Sequence, residues 1–325
     1  MPNIWTHFIF GRELADLVGF QAASATPELR RIYNMGCQGP DFLFYHRFLP
    51  WQKTAGMPEL GSAMHSSQCG PFLLDLLEAV RGKPLDAPDT VFALGFLTHH
   101  ILDRNAHPYV FYLSGFKKWD HQRFEIYIDT LVARKRLGIE TWNTPVWKEI
   151  DAGGALPGRM AAVFERLTRL HYPELGGRFT ARDWDDAYRD MIRAQKLFHD
   201  PAAIKRKITF GQIEPFLFKK QVPLLDFLNE SRKEWRHPSI LEERHTESFW
   251  DLWELAIQDG EPLMRAALDY IAPESAVAEN GSAGSAVSDR AHARVRLEAR
   301  LGDISYETGK PCSEGHKIVH ASPML

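Results

Sequence analysis

The residues with the clearest chemical pattern lie between positions 99 and 125. His99, Asp103 and His107 are spaced four residues apart, and His121 and Glu125 repeat that interval. In an α-helix, residues four apart lie on one face, so each set would present its side chains along a single stripe. Imidazole nitrogens and carboxylate oxygens are ligands that zinc accepts. The spacing therefore predicts a site for two adjacent metal ions on neighbouring helices.

Three further candidate ligands precede this stretch. His7 lies near the start of the sequence, Asp41 follows a Gly-Pro pair in a long segment rich in glycine, proline and aromatics, and His65 opens a predicted helix. A single histidine–carboxylate pair is weak evidence, because such pairs also stabilise helix surfaces. The combination of two helical pairs with three upstream candidates is what indicates a metal centre.

The composition is that of a globular protein. The 325 residues are 44% hydrophobic and 25% charged, with a formal net charge of −3. These values exclude a fully disordered chain, a collagen-like fibre and a membrane bundle, and give no indication of a nucleic-acid partner. The three cysteines, Cys37, Cys69 and Cys312, are too widely spaced for a disulfide framework or a CxxC metal clip. Since the first residues lack the features of a secretory signal, we expect a soluble protein of a reducing cytoplasm.

The elements that must position the candidate ligands are predicted to be helices. Asp89 is predicted to cap the helix that carries His99, and Pro108 to end it; Gly70 and Pro71 predict a kink in the helix after His65. A long irregular loop is predicted over 36–61. Neither a hairpin signal nor βαβ alternation is found, which predicts an all-α, multi-helix bundle with the metal cluster between helices. The predicted helices cover 7–22, a short stretch from Pro27, 64–81, 89–107, 119–137, 157–171, 180–198, 219–232 and 246–271.

A change in composition at Pro273 divides the chain. Residues 273–289 are small and polar, which is typical of a flexible linker. The sequence therefore predicts a helical domain over 1–272, a linker over 273–289 and a short C-terminal tail over 290–325.

The order of the candidate ligands resembles that of the zinc-dependent phospholipase C family, in particular its intracellular bacterial-type members. The superfamily also contains single-strand-specific zinc nucleases. The resemblance rests on the order of the candidate ligands, which is His, Asp, His, HxxxD, His, HxxxE, and on the sequence segments that surround these residues. It extends over most of the chain. The similar segments are GPDFLFY at 39–45, HSS at 65–67, GFLTHHILDRNAHPYV at 95–110, WRHPSILEERHTESFWDLWELA at 235–256 and LGDISYETGKPC at 301–312.

The resemblance implies a cluster of two or three Zn²⁺ ions. One ion would be held by Asp41, His65, His99 and Asp103, and Asp103 would bridge toward a third ion held by His7. The second ion would be held by the remaining ligands. In the secreted members an N-terminal tryptophan completes the third position, whereas Trp5 is internal here. The implied metal ligands are His7, Asp41, His65, His99, Asp103, His107, His121 and Glu125.

The implied activity is hydrolysis of a phosphodiester of the phospholipase C type. Zinc-activated water would attack a phospholipid-like substrate, with Asp41 as the residue that orients or deprotonates the water. The expected partner is a phospholipid-like or other phosphodiester substrate, with transient contact to a membrane surface and no stable nucleic-acid partner. Two alternatives stay open: a nuclease or nucleotide phosphoesterase with the same metals, and a non-catalytic helical metal-binding protein. An HD-type phosphohydrolase ranks low, because the only His-Asp dipeptide, at 199–200, lies outside the candidate ligands.

Overall fold

Helices supply nearly all the regular structure in residues 3–53, 56–273 and 283–325, the parts of the chain that this computed structural model describes. The predicted all-α class is therefore confirmed. Within these ranges no helix is both long and apolar enough to cross a membrane. The helices are α1 (Ile4–Val18), α2 (Pro27–Gly36), α3 (Met57–Ser66), α4 (Cys69–Glu78), α5 (Pro88–Ser114), α6 (Asp120–Leu137), α7 (Trp147–Ile150), α8 (Met160–His171), α9 (Pro173–Gly176), α10 (Ala181–Phe198), α11 (Ile204–Ile208), α12 (Phe249–Ile271) and α13 (Ala283–Leu301).

Helix α5 is the centre of the bundle. It packs against α1, α2, α4, α6 and α12, and most of its residues are buried. Its apolar side chains join one hydrophobic core that extends through most of the other helices. Nearly every face of α5 is therefore buried in the protein, and this helix can carry several ligands of one buried site.

Several helix ends follow the predicted capping chemistry. The Thr26 side chain accepts a hydrogen bond from Leu29 N at 3.1 Å, with Pro27 in the first turn. Thr180 and Asp183 form the expected capping box at the start of α10. Gly138 ends α6 in the left-handed conformation. α1 begins three residues earlier than predicted and ends at Val18, with Gly19 as a left-handed C-cap, which corrects the predicted range of 7–22.

The predicted end of α5 at Pro108 is wrong. The helix continues through the proline to Ser114, with Ala87 rather than Asp89 as its N-cap. A proline inside a helix costs about 3 kcal/mol, because it lacks the amide that would bond to the preceding turn. Tyr109 and Val110, the two residues that follow, are completely buried in the core, and their burial offsets this cost.

The predicted helix 64–81 is two helices. α3 ends at Ser66 and α4 begins at Cys69, and Gln68 between them has a positive φ of 52°. The break therefore precedes the predicted kink at Gly70 and Pro71. Pro71 lies in the first turn of α4, where its missing amide leaves no hydrogen bond unmade.

The predicted helix over 219–232 is also wrong, and a hairpin follows it. The Asp226 carboxylate accepts hydrogen bonds from Glu230 N and Ser231 N, both at 2.8 Å, and so closes a turn instead of a helix. Strand β1 (Trp235–His237) then pairs antiparallel with β2 (Ile240–His245). The sequence shows no hairpin signal here because the connection at 238–239 is Pro-Ser rather than an Asn-Gly type turn.

The C-terminal segment, residues 302–325, folds back onto the bundle. Ser322 N and Met324 N donate hydrogen bonds to carbonyls at the end of α5, at 2.7 and 2.9 Å, and Tyr306 is buried. Residues 274–282 of the predicted linker lie outside the described residues, and α13 begins at 283, before the predicted linker boundary at 289. The predicted division at 273 and 290 stays a prediction.

Candidate metal centre

The first part of the candidate site is built around His99 and Asp103 of α5. His99 Nε2 lies 3.1 Å from Asp103 Oδ2 and 3.7 Å from Asp41 Oδ1. His65 Nε2, from α3, lies 3.1 Å from the same oxygen of Asp41. His7 Nε2, from α1, lies 3.5 Å from the other oxygen of Asp103. Three helices and the 3₁₀ segment Gly39–Tyr45 thus bring five predicted ligands together.

The second part lies one turn further along α5. His121 Nε2 and Glu125 Oε1 of α6 are 2.7 Å apart, and the ring centroids of His107 and His121 are 5.6 Å apart. His107 Nδ1 lies 3.7 Å from Asp103 Oδ2, which connects this group to the first. All eight predicted ligands therefore lie in one continuous cluster, although their assignment as ligands stays a prediction.

The ligand atoms fall into three sets whose members lie within 4.8 Å of one another. The grouping differs from the one that the resemblance implies, because it places His7 with Asp41 and His99 rather than beside a separate ion. His99 belongs to two of the sets. The sets are His7, Asp41 and His99; His65, His99 and Asp103; and His107, His121 and Glu125.

These donor atoms fit zinc. Nitrogen and oxygen ligands at about 2.0–2.1 Å in a tetrahedral site are separated by roughly 3.3 Å. The separations between histidine and aspartate atoms in the first part are 3.1–3.7 Å. Several of these buried atoms make no hydrogen bond to any described residue, a costly arrangement unless a cation binds them. They are Asp41 Oδ1, His65 Nε2, His99 Nε2, both Asp103 oxygens and His107 Nε2.

Backbone carbonyls hold three of the histidine rings in place. The Nδ1 atoms of His65 and His99 donate hydrogen bonds to Gly61 O at 2.7 Å and Cys37 O at 3.0 Å. His107 Nδ1 bonds to Tyr306 O at 3.2 Å. Such bonds fix the tautomer in which Nε2 carries the lone pair, and they orient that lone pair toward the site.

The protonation of the histidines follows their surroundings. Burial lowers the pKa of His107 and His121 well below the usual value, so both are neutral and able to bind a cation near pH 7. Burial also opposes the charged form of His99, but the carboxylates of Asp103 and Asp41 outweigh it and raise the pKa of His99. A bound metal would take the place of the proton that these carboxylates favour.

Two residues to which the sequence analysis assigned no role help to position the ligands. Asp129 of α6 is completely buried and accepts hydrogen bonds from Trp5 N at 3.0 Å and Thr6 N at 2.9 Å, at the start of α1. Burial raises the pKa of Asp129 to about 7, although the hydrogen bonds from Thr6 lower it. Asp129 thereby fixes the helix turn from which His7 reaches the site. The second residue is Gly39, where a side chain would overlap the ring of His99.

We expect Asp129→Ala to lower the free energy of unfolding by about 2–5 kcal/mol, because it leaves two buried amides and a buried hydroxyl without their hydrogen-bond acceptor. Chemical denaturation measures this change. Asp16→Ala, at an exposed carboxylate on α1, the helix that Asp129 contacts, is the matched control and should change stability by less than about 0.5 kcal/mol. Equal stabilities of the two variants would contradict the role given to Asp129.

The ligand sets open into a cavity of about 820 Å³. Its walls are mostly apolar and aromatic. Lys118 is the only lysine or arginine among the described residues that line it, and Glu307 of the C-terminal segment contributes a carboxylate that the sequence analysis missed. Burial raises the pKa of Glu307. The apolar wall consists mainly of Phe44, Tyr45, Phe48, Leu49, Phe111, Trp119, Leu197, Phe198, Ile213 and Phe216.

Comparison with known proteins gives one family. Residues 6–155 match the family model described as zinc dependent phospholipase C. This range contains every predicted ligand, from His7 to Glu125, and excludes the C-terminal segment with Glu307. No curated protein and no solved structure gives a significant match.

Proposed function

From the match of residues 6–155 to the family model of zinc-dependent phospholipase C, we propose that this chain is a zinc-dependent phosphodiester hydrolase acting on a phospholipid-like substrate. The observation that supports this proposal best is the position of the ligand sets at the wall of a large apolar cavity. Apolar walls with a few convergent polar groups are typical of sites for small organic ligands with apolar parts. A location in a reducing cytoplasm stays a prediction.

The charge of the cavity favours a lipid over a nucleic acid. A site that follows a phosphate backbone needs a row of lysine or arginine side chains. Among the described lining residues Lys118 alone is of this type, and Asp41, Glu125 and Glu307 add carboxylates. We therefore place the nuclease and nucleotide phosphoesterase activities second.

The surface beside the cavity supports transient contact with a membrane. Phe210 is 93% exposed and Ile208 is 70% exposed. Three of the residues that follow them, Gln212, Ile213 and Phe216, line the cavity. Three consecutive basic residues, 205–207, precede the exposed pair. Apolar side chains that enter the headgroup region beside basic side chains that attract anionic lipid are the features of a membrane-surface segment.

Metal binding, proton transfer and binding of the leaving alcohol would be carried out by different residues. Bound zinc would supply Lewis-acid polarisation of the phosphoryl oxygens and a lower pKa for water, held by the eight predicted ligands. Asp41 has 14% of its side chain exposed, so its carboxylate is accessible from the cavity. It would orient a water molecule and accept its proton as the water oxygen bonds to phosphorus and the bond from phosphorus to the leaving oxygen breaks. Solvent would supply the proton that the leaving alcohol takes up. The apolar walls would hold the alcohol part of the substrate.

The experiment that tests this function compares three substrates with one preparation purified without chelator. We expect release of a water-soluble phosphate ester from phospholipid vesicles, loss of that release with a chelator, and recovery on addition of zinc. A soluble aryl phosphodiester should be cleaved more slowly, and single-stranded DNA not at all. Faster cleavage of DNA would support the alternative nuclease, and bound zinc without hydrolysis of any substrate would support the non-catalytic metal-binding protein.

A further inference from the structure

A second cluster of metal-binding side chains lies where the C-terminal segment meets α4. Cys69 is the first residue of α4, and Cys312 lies 243 residues later in the chain, yet their Sγ atoms are 3.6 Å apart. Asp303 completes the group, and its ligand atom lies within 4.8 Å of both sulfurs. None of the three residues belongs to the metal centre around His99.

We propose that Cys69, Asp303 and Cys312 form a separate structural site for zinc or another thiophilic divalent cation. Two thiolates bound at about 2.3 Å in a tetrahedral site are separated by roughly 3.8 Å. The observed separation of 3.6 Å is close to this value. A carboxylate oxygen is an accepted third ligand, and a water molecule would complete the tetrahedron. This inference is independent of the hydrolase proposed above.

The backbone around the cluster is arranged to hold it. Gly70 N donates a hydrogen bond to Asp303 Oδ1 at 3.0 Å, which leaves the other carboxylate oxygen available for a ligand bond. Cys312 N donates to Asp303 O at 2.8 Å, so Asp303 and Cys312 are fixed to one another. A side chain at Gly70 would overlap the Gly302 carbonyl, so only glycine allows the two segments to approach this closely. Hydrogen-bonded ligands on tightly packed backbone are the usual support of a structural metal site.

A metal site explains the pair better than a redox-active disulfide does. Thiolate is the species that attacks a disulfide, so a reactive cysteine needs a low pKa and access to solvent. Cys69 is buried, and its burial and the neighbouring Cys312 raise the pKa of its thiol well above the usual value. A thiophilic cation can displace that proton on binding.

The proposed site would fix the C-terminal segment against the bundle. Ser305 and Tyr306, between Asp303 and Cys312 in sequence, bond to the backbone carbonyl of His65: Ser305 Oγ at 3.1 Å and Tyr306 N at 2.9 Å. Tyr306 O is the carbonyl that orients His107. A cation at the cluster would therefore stabilise the wall of the main metal centre without contacting substrate.

Cobalt substitution of the whole chain tests the proposal directly. Replacing bound zinc with Co²⁺ should give an intense near-ultraviolet thiolate-to-cobalt charge-transfer band, which the nitrogen and oxygen ligands around His99 cannot produce. The band should persist in the Asp103→Ala variant and disappear in the Cys69→Ser, Cys312→Ser double variant. Absence of the band from the cobalt-loaded wild-type chain would overturn the proposal.

Metal content gives a second measurement, with Asp75→Ala as the matched control. Asp75 lies on the same helix as Cys69 but outside the cluster, and its Oδ2 is 2.9 Å from His171 Nε2. The double variant should lose about one metal equivalent per chain, and Asp75→Ala none. Equal metal content in all three proteins would contradict the site.

If the double variant fails to fold, thiol titration of the native wild type replaces the metal measurement. Two thiols that react only after chelation would support the site. A Cys69–Cys312 disulfide in the purified protein would overturn it.

Discussion

Replacing Asp103 by alanine should remove zinc from the main metal centre and lower the rate of phosphodiester hydrolysis by about 10³-fold or more. The oxygens of Asp103 lie 3.1 Å from His99, 3.5 Å from His7 and 3.7 Å from His107, so this carboxylate touches both parts of the site. His99→Ala should have the same effect, because His99 belongs to two of the three ligand sets. The measurements are metal content per chain and release of phosphate ester from phospholipid.

The control is a histidine–carboxylate pair of the same type outside the site. His171 Nε2 lies 2.9 Å from Asp75 Oδ2, and neither residue lines the cavity. Asp75→Ala should leave metal content and rate within about twofold of wild type. Because removing one partner of a buried pair is strongly destabilising, Asp103→Asn, which keeps the shape, is measured beside Asp103→Ala. Full activity in both His99→Ala and Asp103→Ala would show that the assigned site is wrong.

Replacing Asp41 by asparagine should lower kcat by about 10²–10⁴-fold while most of the zinc stays bound. Asparagine keeps an oxygen near His65 and His99 but cannot accept a proton. Steady-state kinetics measures kcat, and metal content shows how much zinc each variant retains.

Glu307→Gln is the matched control for Asp41→Asn. Glu307 lines the same cavity but belongs to none of the ligand sets, so its replacement removes a nearby negative charge and leaves the proposed base in place. We expect a rate within about tenfold of wild type. An equal loss of rate in the two variants would mean that the charge of the cavity, and not proton transfer by Asp41, determines the rate.

The spacing of ligands within a helix could be predicted from the sequence because helical geometry is local. His99, Asp103 and His107 share a face of α5, as four-residue intervals require. The positions of His7, Asp41 and His65 depend on tertiary packing, and only the order of the ligands along the chain, through its family resemblance, indicated that they join the site. The helix caps at Thr26 and Thr180 were predictable for the same local reason.

The residues that sequence analysis missed act through contacts between distant parts of the chain. Asp129 meets the start of α1 more than a hundred positions away, and Cys69 meets Cys312 at a separation of 243. The spacing of residues along the sequence does not reveal such contacts. The incorrect end at Pro108 has a related cause, because the burial of the residues after the proline, which no propensity scale includes, keeps the helix intact.

The return of the C-terminal segment to the metal centre has a consequence for the order of events during biosynthesis. Ribosomes release the chain from α1 onward, so all eight predicted ligands emerge before the segment that supplies Tyr306 O to His107, which is 199 residues further on. At elongation rates of about 5–20 residues per second this interval is roughly 10–40 s. The orientation of His107 by Tyr306 O can therefore form only after this segment has been translated.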